Sequence, residues 1–250
     1  MLKNKIFKIP VFAAVLFLLY ACAPALVKTG EAQFFSLDSE VPADPITQKF
    51  IQPFKENLEK EMNTVIGRTT EAILKNGNGE TAIGNLVADF QKEFAENLLG
   101  YPIDISIINN GGIRNTLPKG NITLGNIYEL SPFDNYLQIL ELDHRELIAL
   151  AEFAVSRKIL GISGMTIHAQ DGKILELKIN GEEVNPAKKY ILAVNDYLAN
   201  GGDGMGFLSE IPRKAETDYL LREILIDRIK AKTASGLNIE AKVEGRQKFD

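Results

Sequence analysis

The sequence predicts an α+β fold, and three observations support that expectation. Helical and strand-like periodicities follow one another without a regular βαβ alternation, which argues against a Rossmann or barrel architecture. The run Ile103 to Ile108 is almost wholly apolar, as a strand buried on both faces would be. Asp171-Gly172 stands between two strand-like segments and has the residues of a type I′ hairpin turn.

The chain has 250 residues, of which residues 1–21 read as a targeting signal. Lys3, Lys5 and Lys8 lead into the apolar stretch Ile9 to Leu19, which is too short for a membrane span, and small residues precede the single cysteine, Cys22. Leu19-Tyr20-Ala21-Cys22 resembles the bacterial lipobox, which implies cleavage before Cys22, lipidation of its thiol and a membrane-anchored, exported chain. Several acyl chains anchor stably where one binds only reversibly. The alternative is an ordinary secretory signal with an incidental cysteine, and export to the periplasm or outer-membrane face follows from both. Residues 22–44 mix small, polar and acidic side chains with Pro24 and Pro42 and no apolar period, so they read as a flexible tether. A single domain is expected over residues 45–250.

Within it, Ile46, Phe50, Ile51, Phe54, Leu58 and Met62 recur at helical spacing, with Pro53 expected to kink or divide the helix. Thr64 to Thr69 reads as a strand. After Asn76-Gly77-Asn78-Gly79, the segment Glu80 to Leu99 places Ile83, Leu86, Val87, Phe90, Phe94 and Leu98 on one helical face. The buried strand Ile103 to Ile108 then runs into the polar, glycine-rich Asn109-Asn110-Gly111-Gly112-Ile113-Arg114. A short helix over Leu124 to Leu130, a strand over Tyr136 to Leu142 and a helix over Arg145 to Lys158 follow, the last with Leu147, Leu150, Ala151 and Ala154 inward. Thr166 to Ala169 and Lys173 to Ile179 flank the hairpin turn, and Asn180-Gly181 marks another. A strand over Tyr190 to Val194 leads to a second glycine-rich loop, and Tyr219 to Lys230 is expected to form the last helix.

Composition excludes several function classes. Without the three leader lysines, 25 basic side chains face 33 acidic ones, a formal charge of −8, which repels nucleic-acid phosphates and does not steer toward anionic headgroups. One cysteine and two histidines are too few for a disulfide framework, a Cys/His zinc site or a His-rich dinuclear centre. No Gly-x-Ser-x-Gly elbow supports a serine hydrolase.

The chemistry lies in the two loops. Asn195-Asp196-Tyr197-Leu198-Ala199-Asn200-Gly201-Gly202-Asp203-Gly204-Met205-Gly206 follows a strand, offers glycine amides for close approach and sets an aromatic ring six residues from a carboxylate. That suits a hydroxylated, flat-ringed ligand. A glycine run is also an ordinary device for turns with positive φ, and this one lacks dinucleotide-fingerprint spacing.

Five segments in this order and spacing resemble the C-terminal domain of the 5′-nucleotidase and UDP-sugar hydrolase family. They are Glu80 to Asp89, Asn109 to Arg114, Gly120 to Thr123 with Ser131-Pro132-Phe133-Asp134-Asn135, Ser163-Gly164-Met165, and Asn195 to Gly204. The resemblance covers roughly residues 60–250 and implies mixed sheets packed with helices. It also implies that this domain binds the nucleoside, while a separate metallophosphoesterase domain, absent here, holds two divalent metal ions and performs hydrolysis.

Carried over position by position, Phe133 and Tyr197 match the two aromatic residues that sandwich the base. Asn109 falls near base and ribose, Asp203 on the carboxylate that accepts from the ribose hydroxyls, and Arg114 on an arginine directed to the phosphate. Apart from the resemblance, each has a plainer reading: Phe133 as core, Asn109 and Asp203 as turn formers, Arg114 as a loop-closing surface residue. The family commonly has another phosphate-side arginine upstream of Glu80, where this chain has Asn76-Gly77-Asn78-Gly79. His144 is expected at a helix start and His168 on a hairpin face, neither at a family metal position. Asp143-His144 looks like part of a metallophosphoesterase motif, but its companion segments are missing.

The expected protein is thus the nucleoside- or nucleotide-binding half of a split 5′-nucleotidase. It would be non-catalytic alone, with its dimetal phosphoesterase on another chain. A nucleotide-binding lipoprotein for uptake, or a domain kept for a structural role, are the alternatives.

Overall fold

The computed structural model describes residues 30, 34–36, 41–77 and 79–250; the expected signal over residues 1–21 and Cys22 lie outside the described residues. Helix α1 (Pro45–Met62) runs as one element with Pro53 inside it, so of the expected kink or division the division does not occur. Proline deprives the Lys49 carbonyl, one turn back, of its intrahelical donor, but the helix is exposed as far as Glu61, so that carbonyl faces no desolvation cost. Its periodic apolar side chains Ile46, Phe50, Ile51, Phe54 and Leu58 are exposed as well.

Strand β1 (Val65–Thr69) pairs antiparallel with β3 (Gly120–Thr123) in a two-stranded ladder. Helix α2 (Ala82–Leu99) starts two residues after the expected Glu80 because Thr81 caps it: the threonine Oγ1 accepts from the Gly84 amide at 3.0 Å. It ends on Gly100 at φ 73°, the left-handed geometry glycine adopts without strain. Ile83, Leu86, Val87 and Phe90 are buried as their spacing predicts, but at the last turn Leu99 rather than Leu98 meets the core.

The central sheet has five strands in the order β10 (Arg213–Leu220), β4 (Tyr136–Leu142), β9 (Tyr190–Asn195), β2 (Ile105–Asn109), β5 (Leu160–Ser163). Only β9 and β2 run parallel; the other neighbours are antiparallel. Every residue of β2 is buried. Its side chains alternate: Ile105 and Ile107 pack with Leu147, Leu150, Ala151 and Ala154 of α4 (His144–Arg157), whereas Ile108 packs with Ile83 and Val87 of α2. Helices cover both faces, which is why the strand reads as an unbroken apolar run. Gln91 pins α2 to the parallel pair, its fully buried Nε2 lying 3.0 Å from the Ile107 carbonyl and 3.1 Å from that of Ala193.

A second sheet has the order β11 (Gln247–Phe249), β6 (Met165–Gln170), β7 (Lys173–Ile179), β8 (Glu182–Glu183). Asp171 and Gly172 take φ of 49° and 75°, as a type I′ turn requires, and Asn180 and Gly181 repeat the pattern at 51° and 84°. Helix α3 (Leu124–Leu130) falls where expected, whereas the last helix, α7 (Leu221–Ala234), which follows the one-turn α6 (Gly206–Ser209) and β10, begins two residues later than its pattern suggests. Tyr219 and Leu220 belong to β10, an edge strand whose exposed residues leave little apolar signal.

The C-terminal segment closes over α2 by polar contacts. The Glu80 carboxylate, only 3% exposed, accepts from Asn85 Nδ2 and the Glu244 amide, both at 2.7 Å, and from the Gln247 amide at 3.2 Å. Burial disfavours the charge on Arg246, yet its bidentate pair with Asp89 at 2.7 and 2.8 Å and its contact with Glu244 hold its pKa above the ordinary arginine value.

Candidate ligand-binding site

Strand order opens a crevice at one end of the central sheet. Parallel β2 and β9 finish side by side at Asn109 and Asn195, and antiparallel β4 begins there, with Leu137 opposite Asn195. Chain leaving adjacent parallel strands in different directions leaves room for a ligand. The cavity at this point has a volume of about 370 Å³. All five residues singled out from the sequence, Asn109, Arg114, Phe133, Tyr197 and Asp203, line it. Gly111, Gly112 and Asn135 complete the wall.

Asn109 is 5% exposed, held by the end of β2. Its Nδ2 donates to Asp203 Oδ2 at 2.8 Å, and its Oδ1 accepts from Asn195 Nδ2 at 3.4 Å. Asn195 in turn caps the short helix α5 (Asp196–Ala199), its Oδ1 accepting from the Leu198 amide at 2.8 Å. That cap sets Tyr197 on the first turn. The tyrosine hydroxyl donates to Asp203 Oδ1 at 2.8 Å and accepts from the Asp203 amide at 3.2 Å. Both oxygens of Asp203 are therefore aimed, each with a further lone pair to offer. Asp203 itself sits at φ 53°, a strained geometry for a non-glycine residue that these contacts sustain.

The glycines have separate reasons. A β-carbon at Gly202 would fall 2.5 Å from Tyr197 Cε1 and 2.6 Å from the Tyr197 carbonyl oxygen, so the loop closes against the ring only without a side chain. At Gly112 it would lie 2.9 Å from Asn109 Oδ1.

Phe133 lies on the loop into β4 and is 46% exposed, close to the 45% of Tyr197. Arg222 on α7 steadies that loop, its Nη1 lying 3.5 and 3.4 Å from the Ser131 and Pro132 carbonyls while its Nη2 pairs with Asp134. The Arg114 guanidinium stands 5.7 Å from the Phe133 ring centroid and donates to the Gly111 carbonyl at 3.2 Å. Sequence reasoning quoted Asn135 in its motif but assigned it no part; here it lines the cavity and donates to Asp196 Oδ1 at 3.2 Å. Its place two residues after Phe133 was the available signal.

Two exposed aromatic rings, an oriented carboxylate and a guanidinium suit a ligand with a flat ring, hydroxyl donors and negative charge. Among the described residues, no group of three or more His, Cys, Asp and Glu side chains is placed to hold a metal ion. His144 is the first residue of α4, and His168 Nδ1 meets Glu176 Oε2 at 2.7 Å across the β6–β7 hairpin, both as expected.

Fold and cavity together define an α+β domain with an aromatic and carboxylate-lined cleft at the strand ends. The chain belongs to the family of the 5′-nucleotidase C-terminal domain, whose model matches residues 65–210. It is 30% identical, over 85% of its length, to the trifunctional nucleotide phosphoesterase protein YfkN of Bacillus subtilis, of which it covers 16%. Protein UshA of Escherichia coli is 27% identical over 78% of this chain, which covers 36% of that protein. Among solved structures, a 5′-nucleotidase precursor from Thermus thermophilus superposes with a TM-score of 0.69 at 26% identity, covering 83% of this chain and 44% of its own. The chain thus spans less than half the length of each of these relatives.

Proposed function

We propose that this domain is the nucleoside- or nucleotide-binding half of a 5′-nucleotidase, with the phosphoesterase chemistry supplied by a separate chain. The observation that supports it most is the Asn109, Asp203 and Tyr197 hydrogen-bonded set, in one cavity with Phe133 and Arg114. In this reading Phe133 and Tyr197 stack on the base, Asp203 accepts from the ribose hydroxyls, Asn109 fixes the carboxylate and reaches the ribose, and Arg114 faces the phosphate. The two divalent metals of the family's chemistry have no ligand set among the described residues, and we assign them to the partner. This chain then contributes orientation of the substrate, which accelerates hydrolysis only when the two halves meet. The leader residues Lys3 to Cys22 support an exported, lipid-anchored placement in the bacterial envelope.

Calorimetric titration of the full chain with adenosine and AMP is expected to give dissociation constants of roughly tens of micromolar to a millimolar, from two stacked rings and a few hydrogen bonds. The same sample is expected to release no phosphate from AMP when a divalent metal is added. Hydrolysis by the pure chain would overturn the split arrangement, and failure to bind either ligand would overturn the nucleoside reading.

The loop glycine offers an independent check. Gly202→Ala pushes a methyl group into the Tyr197 ring and carbonyl, so one stacking contact is displaced and affinity should fall about tenfold. Unchanged affinity would show that Tyr197 does not stack on the ligand.

A further inference from the structure

Helices α2, α4 and α7 each bury an apolar face, but α1 does not. Its Ile46, Phe50, Ile51, Phe54 and Leu58 are 47–81% exposed, and no residue of the helix is buried. Just upstream, Phe34 and Phe35 are exposed too. Single exposed apolar side chains are ordinary on a protein surface; five on one helix are not.

The charges around that face are ordered. At about 100° per residue, the five apolar side chains fall within an arc of about 140°. Lys55 lies just beyond one border of the arc, and Lys49 and Lys60 lie just beyond the other. Glu56 and Glu59 stand opposite its centre, where they bond along the helix: Glu56 Oε1 accepts from Gln52 Nε2 at 2.7 Å, and Glu59 Oε1 is 3.7 Å from Lys55 Nζ. Glu61 is the exception on the apolar side, in the last turn beside half-buried Met62. Lysines on both borders with acids at the far side match a lipid surface. There the lysine stems lie along the apolar face and carry their ammonium groups to the phosphates, while the carboxylates stay farthest from them.

We infer that α1 lies on a membrane surface, with its apolar face among the headgroups and upper acyl chains and its Glu56 and Glu59 side toward water. The inference rests on the exported, lipid-anchored reading proposed above for how the helix reaches a bilayer. The tether expected over residues 22–44 spans at most about 80 Å when fully extended, so a lipidated Cys22 keeps α1 beside the membrane. Contact is then an intramolecular step that needs only weak affinity. Among the described residues no helix is long and apolar enough to cross a membrane, so α1 lies on the bilayer rather than through it. The negative net charge of the chain as a whole adds no attraction; apolar burial and the bordering lysines supply it.

The chain has no tryptophan, so Phe54→Trp and Leu58→Trp each place a single fluorescent reporter on the apolar face, and Gln52→Trp places one on the polar side. All three positions are exposed, so the fold tolerates the changes. Each full-chain variant is purified from the cell envelope and returned to vesicles of phosphatidylethanolamine and phosphatidylglycerol, with and without bromine on the acyl chains. Emission from positions 54 and 58 is expected to move to shorter wavelength and to be quenched at least about twofold more strongly than from position 52, because an interfacial helix buries its apolar face about 5–10 Å deep. Equal quenching at all three positions, or none at 54 and 58, would overturn the inference. So would a blue shift without lipid that grows with protein concentration, since a second copy of the chain would then be the occupant. The mass of the amino-terminal peptide tests the anchor separately. A lipidated Cys22 with unquenched reporters would leave the anchor standing and overturn the inference, whereas an unlipidated chain quenched at 54 and 58 would overturn the anchor and support the helix.

Discussion

Tyr197→Ala is expected to weaken adenosine and AMP binding on the order of a hundredfold, from the loss of one stacked ring and of the hydroxyl that orients Asp203. Stacking on an aromatic ring contributes about 1–3 kcal/mol per base, and a neutral hydrogen bond about 1 kcal/mol. Together they exceed what either substitution of lesser size removes. Tyr197→Phe keeps the ring and frees Asp203 Oδ1, so its cost should stay below about tenfold. The order of the two variants is therefore informative. If Phe and Ala weaken binding equally, the hydroxyl and not the ring is what matters; if neither changes binding, Tyr197 lies outside the ligand site. Melting temperature serves as the control, because the side chain is nearly half exposed and its removal leaves no cavity in the core.

Gly161→Ala is expected to give the largest loss of stability. Gly161 lies in β5, where the strand meets the first turn of α2, and a β-carbon there would fall 2.6 Å from the Gly84 carbonyl oxygen and 2.7 Å from its Cα. Both obstacles are backbone, and neither can swing aside as a side chain would. Strand and helix must separate, which costs about 3 kcal/mol by analogy with overpacked cores. For a domain of this size that lowers the melting temperature by about 6–12 °C. The effect should reach the cavity as well, since Gly161 and Leu160 pair with Ile108 and Asn109, and the Asn110 amide donates to the Ile159 carbonyl at 2.7 Å. A variant that melts within about 1 °C of the parent would show that helix and strand do not approach as closely as described.

Much of the architecture was legible in the amino-acid order because its signals are local. Helix α2 follows from an apolar face at a period of 3.6; α3, β4 and the Asp171-Gly172 hairpin follow from their own residues with the same directness. The misread elements depend on neighbours. β10 is a polar edge strand recognisable only from β4 beside it, and β11 joins its sheet in parallel from the far end of the chain.

The candidate site divides in the same way. The order of residues, through the resemblance its five motifs carry, picked out Asn109, Arg114, Phe133, Tyr197 and Asp203, all of which line the cavity. Only the tertiary structure decided their relations. That Tyr197 bonds to Asp203, that Asp203 is held in turn by Asn109 and that Asn135 joins the wall are facts of through-space distance. Periodicity and capping act over a few residues and are written in order along the chain. Contacts between residues 94 apart, as Asn109 and Asp203 are, exist only once strand order has brought their ends together.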